Sequence, residues 1–483
     1  MVLRIGKFST QQPWRWRCLC QLPVISRNNF SSITKSKVTN NLDRECEDFL
    51  PWLEKKAGAE VSSKLYIGKS SFGRSLFSSK RIHAGDCILR VPYSAQLASH
   101  SLLPEISALL GDNVGSVSKL AIVLLIEQQA GQVSEWAPYV SCLPCLGEMH
   151  STIFWSQSDL DMISQSSVVH KETIKQKAQI EKEFLSIKPV LEHFPRILKN
   201  ITLQDFMHAY SLVKSRAWGN MEGVSLIPFA DFLNHDGSSE SVVLNDEDKQ
   251  VSEVIADRNY APGEEVRLRY GKFSNTTLLL DFGFSLSYNM HERVEIQINL
   301  PDNDALRKMK VEILQRHHIP ACKDDNGFNS SWDSFLIKEV KSTDKKGKGL
   351  PQSLRAFARI LCCTSRQVIL ENLDLNDLVL EAAQADGRLA RLPLKNSSRE
   401  IEAHEFLLSR INQLIEKYNA SIKSLRRPTS LSCKNYALRR KMAIDLLTGE
   451  LRVLKSASTW LKNYCPSLLQ QALHSTIYSD FSE

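Results

Sequence analysis

The sequence has no long apolar run. Its longest uninterrupted stretch, Leu120 to Ile126, is bracketed by Lys119 and Glu127. A bilayer-spanning helix needs about 20 apolar residues, so no membrane span is expected. A cysteine framework is also lacking. Eleven cysteines are scattered, and only Cys142-Leu143-Pro144-Cys145 has ligand-like spacing. A tetrahedral zinc site needs four ligands, commonly two such pairs. Cys362-Cys363 cannot serve as the second pair, so no metal is expected. The Cys142 pair follows Trp136-Ala137-Pro138-Tyr139-Val140-Ser141 and does not open the helix of a thioredoxin-like unit. Reduced structural thiols are therefore expected. No period of 20–50 residues recurs, which argues against a solenoid.

Acidic residues are missing from the start of the chain. Residues 1–42 carry Arg4, Lys7, Arg15, Arg17, Arg27, Lys35 and Lys37, with no acid before Asp43. The formal net charge is +7, and this leader accounts for all of it. The rest of the chain is neutral overall and shows no basic-aromatic interleaving, so nucleic acid is not an expected partner. An Arg-rich, Ser-containing, acid-free leader has the composition of an organellar transit peptide. Trp14-Arg15-Trp16-Arg17 interrupts any secretory-type apolar core. The early arginines point to the mitochondrion. The alternative is a basic tail on a cytosolic or nuclear protein.

What is present is a chain of 483 residues, 42% hydrophobic, long enough for two or three domains. Residues 43–56 have the pattern of a short helix packing Phe49, Leu50 and Leu53. Short apolar stretches around Gly and Ser over 64–92 suggest small strands. Residues 102–130 switch to helical spacing, and a charged surface helix is expected from His170 to Leu191. Thr202-Leu203-Gln204-Asp205 can cap a helix start, with Phe206, Ala209, Tyr210, Val213 and Ala217 behind it. Strand signals return at Val251–Ala256 and Val266–Leu268. Strict alternation marks Val294–Leu300 as a half-buried strand. Beyond residue 302 the pattern is helical, over Leu306–Leu314, Leu354–Leu361, Ile401–Leu425 and Tyr436–Tyr464, with a solvated loop at Thr343–Gly349.

The chemistry-bearing segments are 227–241 (IPFADFLNHDGSSES) and 261–275 (APGEEVRLRYGKFSN). The first is an apolar run ending in Asn234-His235-Asp236. In the second, an acidic turn launches the alternating Val266-Arg267-Leu268-Arg269, which delivers Tyr270 and Gly271. An adenosine-type cofactor needs backbone polar groups at the end of a buried segment, and a methyl-transfer site needs a phenol hydroxyl in a narrow apolar channel. Asp231 in an apolar run is costly unless paired. Arg216, near the end of its helix, is a candidate partner for it, or a bidentate contact to a cofactor carboxylate.

NHD followed by GEEVRLRYG resembles the paired motifs of the SET-domain protein methyltransferases. Phe72-Gly73-Arg74-Ser75-Leu76-Phe77, then Ile82-His83-Ala84-Gly85-Asp86 and Ile88-Leu89-Arg90-Val91-Pro92, resembles their opening block. The wide gap between the halves is similar to the Rubisco large-subunit methyltransferase-like branch, a plant organellar type. The resemblance covers roughly residues 45–480. It implies an α+β fold: a split SET domain of small β-sheets with a pseudoknot crossing and a helical insertion, followed by an all-α substrate-binding domain. The implied boundaries are 1–42 leader, 43–101 SET N-terminal part, 102–205 insertion, 206–301 SET C-terminal part and 302–483 helical domain. It also adds the chloroplast to the possible destinations.

By resemblance the cofactor is S-adenosylmethionine and the reaction is N-methylation of a protein side chain, lysine first and histidine as the alternative. Tyr270 is then the catalytic tyrosine; read from its residues alone, it is first a structural tyrosine, as most tyrosines at strand ends are. Phe72, Gly73, Arg74, Arg216, Asn234 and His235 fall on cofactor-binding positions, and Asp231 and Phe282 on substrate-binding positions. His235 is not expected to act as base or metal ligand. Two motifs depart from the family. Phe72 and Ser75 stand where Glu and a second Gly are usual, and Asp281-Phe282-Gly283-Phe284 replaces a D-Y-G-F. A catalytically weak SET-fold binding protein is the reading from another class. The protein is expected to be a monomer that docks its protein substrate on the helical domain.

Overall fold

The computed structural model describes residues 43, 46, 48–111, 114–221, 223–316, 333–341, 343, 346–362, 397–427 and 434–479. The basic leader lies outside them. Among the described residues no helix is long and apolar enough to cross a membrane.

Three small sheets carry the first half of the chain, because its apolar stretches are short and turn residues punctuate them. Strands β1 (Leu65–Ser70) and β2 (Gly73–Ser78) form a hairpin paired from Leu65↔Ser78 to Ser70↔Gly73. Strands β3 (Cys87–Pro92) and β4 (Leu97–Ala98) follow. The chain then leaves the sheets for helices, chiefly α1 (Phe49–Ala57) before them and α2 (Ser116–Ala130), α3 (Val169–His193) and α4 (Leu203–Arg216) after them. Helix α4 starts where the sequence places it. The Thr202 hydroxyl accepts from the Asp205 N–H at 3.2 Å, and the Asp205 carboxylate accepts from the Thr202 N–H at 2.9 Å, which satisfies two orphan donors.

The sheets resume with β5 (Trp218–Asn220), β6 (Gly223–Leu226), β7 (Asn234–His235), β8 (Val243–Asp246), β9 (Val251–Ile255) and β10 (Glu265–Leu268). Strand β6 returns to pair β4, β9 returns to pair β3, and β10 returns to pair β2. The two halves of the split domain are therefore one fold, and α2, α3 and α4 share its core with Leu76, Leu89, Leu226, Val254 and Leu268.

The strand expected at 294–300 is β11 (Arg293–Gln297). It pairs antiparallel with β12 (Ser334–Lys338), a strand in the stretch whose periodicity suggests helix alone. Five residues, Ser-Phe-Leu-Ile-Lys, are too few to separate the two periods. This ribbon packs into the C-terminal core with α5 (Arg307–Arg316), α6 (Gln352–Leu361), α7 (Ser397–Leu425) and α8 (Lys434–Ser479). A third cluster joins the pieces. Trp155, Ile163 and Val169 of the insertion meet Leu279 and Leu280 of the SET part and Met442 and Leu446 of α8. Beside it Glu450 is fully buried and accepts from Tyr418 Oη at 2.9 Å, Ser167 Oγ at 3.0 Å and Thr276 Oγ1 at 3.3 Å.

Candidate active site

The chain approaches the site through a strained turn. Phe229, fully buried, sits at φ 74° and ψ −47°, a conformation costly for a bulky residue. The turn is held by Asp231 N–H donating to Ile227 O at 3.1 Å. Residues 234–235 then run parallel to β10, with Asn234 opposite Arg267 and His235 opposite Leu268. Past the strand ends, Asp236 N–H donates to Leu268 O at 2.9 Å and Arg269 N–H to Ser241 O at 2.8 Å. Two segments about thirty residues apart thus cross one another, and Tyr270 leaves the crossing beside His235.

Each side chain of the crossing has a defined task. The Asn234 amide donates to Glu265 Oε1 at 3.2 Å and to the Arg74 carbonyl at 3.4 Å, tying the β1–β2 hairpin to the crossing. Glu265 also accepts from Ser75 Oγ at 2.7 Å and pairs with Arg267. Despite burial, these donors hold its carboxyl below the usual range. Ser75, where the family has glycine, thus supplies one of the bonds that fix this carboxylate. His235 Nδ1 accepts from the Tyr270 N–H at 3.1 Å, so its proton sits on Nε2. Burial, helped by His291 and Arg269, pushes its pKa down to about 4. The neutral ring is a brace for the tyrosine backbone.

The Tyr270 hydroxyl donates to the Leu233 carbonyl at 2.8 Å. Burial pushes its pKa up to about 12, so it is a neutral hydroxyl at physiological pH and cannot act as a base there. Around it stands a wall of rings, with centroids at 5.2 Å (His235), 5.3 Å (Phe282), 5.9 Å (Trp218) and 6.4 Å (Phe284). Phe273 joins by packing on Phe282 at 5.6 Å. Two glycines make this possible. A Cβ on Gly271 would occupy the Phe273 ring. Gly283 has φ +77°, and a Cβ there would lie 2.6 Å from Ser151 N. Asp281 anchors the same turn, accepting from Gln176 of α3 at 3.2 Å and pairing with Lys214 of α4 at 3.6 Å.

The expected Arg216–Asp231 pair is present. Arg216 Nη1 donates to Asp231 O at 2.9 Å and lies 3.2 Å from Oδ2. The same Oδ2 accepts from Tyr139 Oη at 2.8 Å. The Asp231 side chain is wholly enclosed, and burial raises its pKa. It braces Arg216. Arg74 is tied into the fold by its side chain. Its guanidinium donates to Asp43 at 2.8 Å and to the Cys142 carbonyl at 2.9 Å, and its own carbonyl is taken by Asn234, so it supports the hairpin. Phe72 and Gly73 form the exposed hairpin tip, with Phe72 65% exposed under the Arg267 guanidinium.

Two donors close to Tyr270 have capacity left. Among the described residues, only Nη1 of the Arg216 fork is engaged. Two residues on, Trp218 Nε1 is buried without a hydrogen-bond partner. A buried unpaired N–H costs about 1–3 kcal/mol, and a fork plus an indole N–H suits a carboxylate. The donor set therefore fits a cofactor with an amino-acid end. Trp218, Phe273 and Phe284 are absent from the sequence-based site. Nothing but proximity to Arg216, Gly271 and Phe282 could have marked them.

Residues 73–271 match the SET domain family model, and residues 301–454 match the model described as Rubisco LSMT substrate-binding. The chain carries a SET domain followed by a Rubisco LSMT substrate-binding domain. Among curated proteins, the actin-histidine N-methyltransferases of Homo sapiens and Mus musculus are 26% and 25% identical over 435 residues, covering 86% of this chain and 68% of each relative. Among solved structures, Rubisco LSMT bound to AdoMet aligns with a TM-score of 0.64 at 19% identity, over 89% of this chain and 94% of that one. The SET domain of LSMT bound to lysine and AdoHcy aligns at 0.65 and 20%, over 89% and 93%. The SET fold of this protein is thus a shared architecture, with site residues of its own.

Proposed function

We propose that this SET-domain protein is an S-adenosylmethionine-dependent protein methyltransferase whose target is a histidine side chain. The sequence alone favours lysine. The relatives named actin-histidine N-methyltransferase support the histidine alternative instead, and the packing of Phe282 on Tyr270 at 5.3 Å carries the reading. The wall offers one hydroxyl, Tyr270, and otherwise flat rings, of which Phe273, Phe282 and Phe284 are wholly apolar. A lysine ammonium, with an unperturbed pKa of ~10.4, must first lose a proton, whereas an imidazole of pKa ~6.5 is mostly neutral at pH 7 with a lone pair ready. An aromatic slot suits that flat neutral ring.

The cofactor, when bound, supplies an activated methyl group on a sulfonium. The chain's own residues hold and orient. Arg216 and Trp218 offer donors to its carboxylate, and Asn234 and His235 fix the crossing segment. Tyr270 places a neutral hydroxyl and, through it, the Leu233 carbonyl at the polar end of the slot. Trp218, Phe273, Phe282 and Phe284 exclude water and align the target ring, so positioning and a dry polar environment supply the acceleration. The protein substrate docks on the domain at 301–454.

The test is incubation of recombinant protein and tritiated cofactor with actin and with an extract lacking the enzyme, followed by hydrolysis and amino-acid analysis. Label in methylhistidine is expected. Label in methyl-lysine overturns the target assignment. Failure to bind S-adenosylhomocysteine in calorimetry removes the methyltransferase reading altogether.

A further inference from the structure

The sequence directs attention to Cys142 and Cys145 as a local pair. The structure gives Cys142 a different companion. Its Sγ lies 3.1 Å from Sγ of Cys46, 96 positions away, and both residues are buried. Cys46 belongs to the segment just before α1, and Cys142 follows the short helix Ala137–Val140 in the insertion. A disulfide needs sulfurs ~2.05 Å apart, so the gap to close is about 1 Å, within reach of small side-chain rotations in a packed contact.

The surroundings bear on the chemistry in two ways. The contact with the Cys46 thiol, and then burial, push the Cys142 thiol up. The Arg74 guanidinium, which donates to the Cys142 carbonyl at 2.9 Å, interacts favourably with a thiolate at either sulfur. Cys145, three residues on, is only half-buried, so the loop carrying Cys142 reaches solvent. Cys87, exposed at the start of β3, is an internal comparator.

We propose that Cys46 and Cys142 form a reversible disulfide, a covalent modification site that clamps the segment before α1 to the insertion beside the Arg74 hairpin. Two S–H bonds break and one S–S bond forms. The two electrons and two protons pass to an oxidised small-molecule disulfide such as glutathione disulfide, which leaves as two thiols by way of one mixed disulfide. Because the bridge closes a long loop, it restricts the unfolded chain strongly. The proposal is independent of the methyltransferase reading.

The experiment uses the full chain equilibrated in glutathione buffers from reducing to oxidising. Remaining thiols are alkylated, and peptides are mapped by mass spectrometry without reduction. A single cross-linked peptide joining 46 to 142 is expected, with both thiols lost together. Tm should rise on the order of 5 °C, reversed by dithiothreitol. Cys46→Ser should abolish the rise, while Cys145→Ser and Cys87→Ser keep it. Separate glutathione adducts on Cys46 and Cys142, a bridge between Cys142 and Cys145, or two unmodified thiols after Cys87 has reacted would each overturn the proposal. The mapping on the unaltered chain decides even if Cys46→Ser does not fold.

Discussion

Replacing Glu450 by glutamine should raise the thermal stability of this protein at pH 8 and change it little at pH 5. Glu450 sits where helix α8, helix α7, the loop before α3 and the SET part meet. Its carboxyl accepts from three hydroxyls, on Tyr418, Ser167 and Thr276, and no cation among the described residues is bonded to it. Burial, then the nearby Glu292 carboxyl, pushes its pKa up to about 8 from an ordinary 4.5. Glu292 itself is pushed up to about 7, chiefly by burial, with Arg452 and Arg293 acting against the rise. The folded-state pKa of Glu450 lies above the unfolded one, so the folded protein keeps a proton that the unfolded chain releases. Stability is therefore complete below pH 4.5 and falls as pH climbs towards 8. At about 1.36 kcal/mol per pKa unit, the loss accumulated by pH 8 is on the order of 4 kcal/mol. With about 2.1 cal/mol/K of unfolding entropy per residue, that is roughly 4 °C in Tm for a body of this size. Glutamine keeps a carbonyl for the hydroxyls and cannot ionise. Scanning fluorimetry of both proteins from pH 5 to 9 at constant ionic strength is the assay. A Tm difference that is the same at pH 5 and pH 8 would refute the reasoning.

Three further outcomes are expected. Tyr270→Phe should lower kcat by about 100-fold or more, the scale of losing one preorganised polar group. It should leave S-adenosylhomocysteine affinity within a few fold, and unchanged turnover would remove Tyr270 from the chemistry. Phe282→Tyr places a second hydroxyl beside Tyr270 and should raise the ratio of lysine to histidine methylation on matched peptides, read by mass spectrometry; an unaltered ratio means that this wall does not select the target. Gly283→Ala combines a left-handed φ with a clash against the Ser151 backbone. It should cost about 2–4 kcal/mol by chemical denaturation, and a loss under 0.5 kcal/mol, within the scatter of ordinary surface changes, would contradict the packing described.

Local pattern was enough for the elements whose causes are local. The Thr202–Asp205 cap, the alternation at β11 and the helical spacing of α7 and α8 depend on neighbours within a few positions, where period and capping chemistry are visible. Ordered motifs also made the SET resemblance and the nearness of Asn234, His235 and Tyr270 readable. Tertiary contact decided the rest, because its partners lie far apart in the chain. It took folding to enclose Asp231 between Tyr139 and Arg216, to turn Arg74 towards Asp43 and Cys142, and to gather Trp218, Phe273 and Phe284 around Tyr270. None of those pairings leaves a periodic trace, since a side chain's role across long sequence separations is set by which surfaces pack together and by the cost of burying an unpaired polar group.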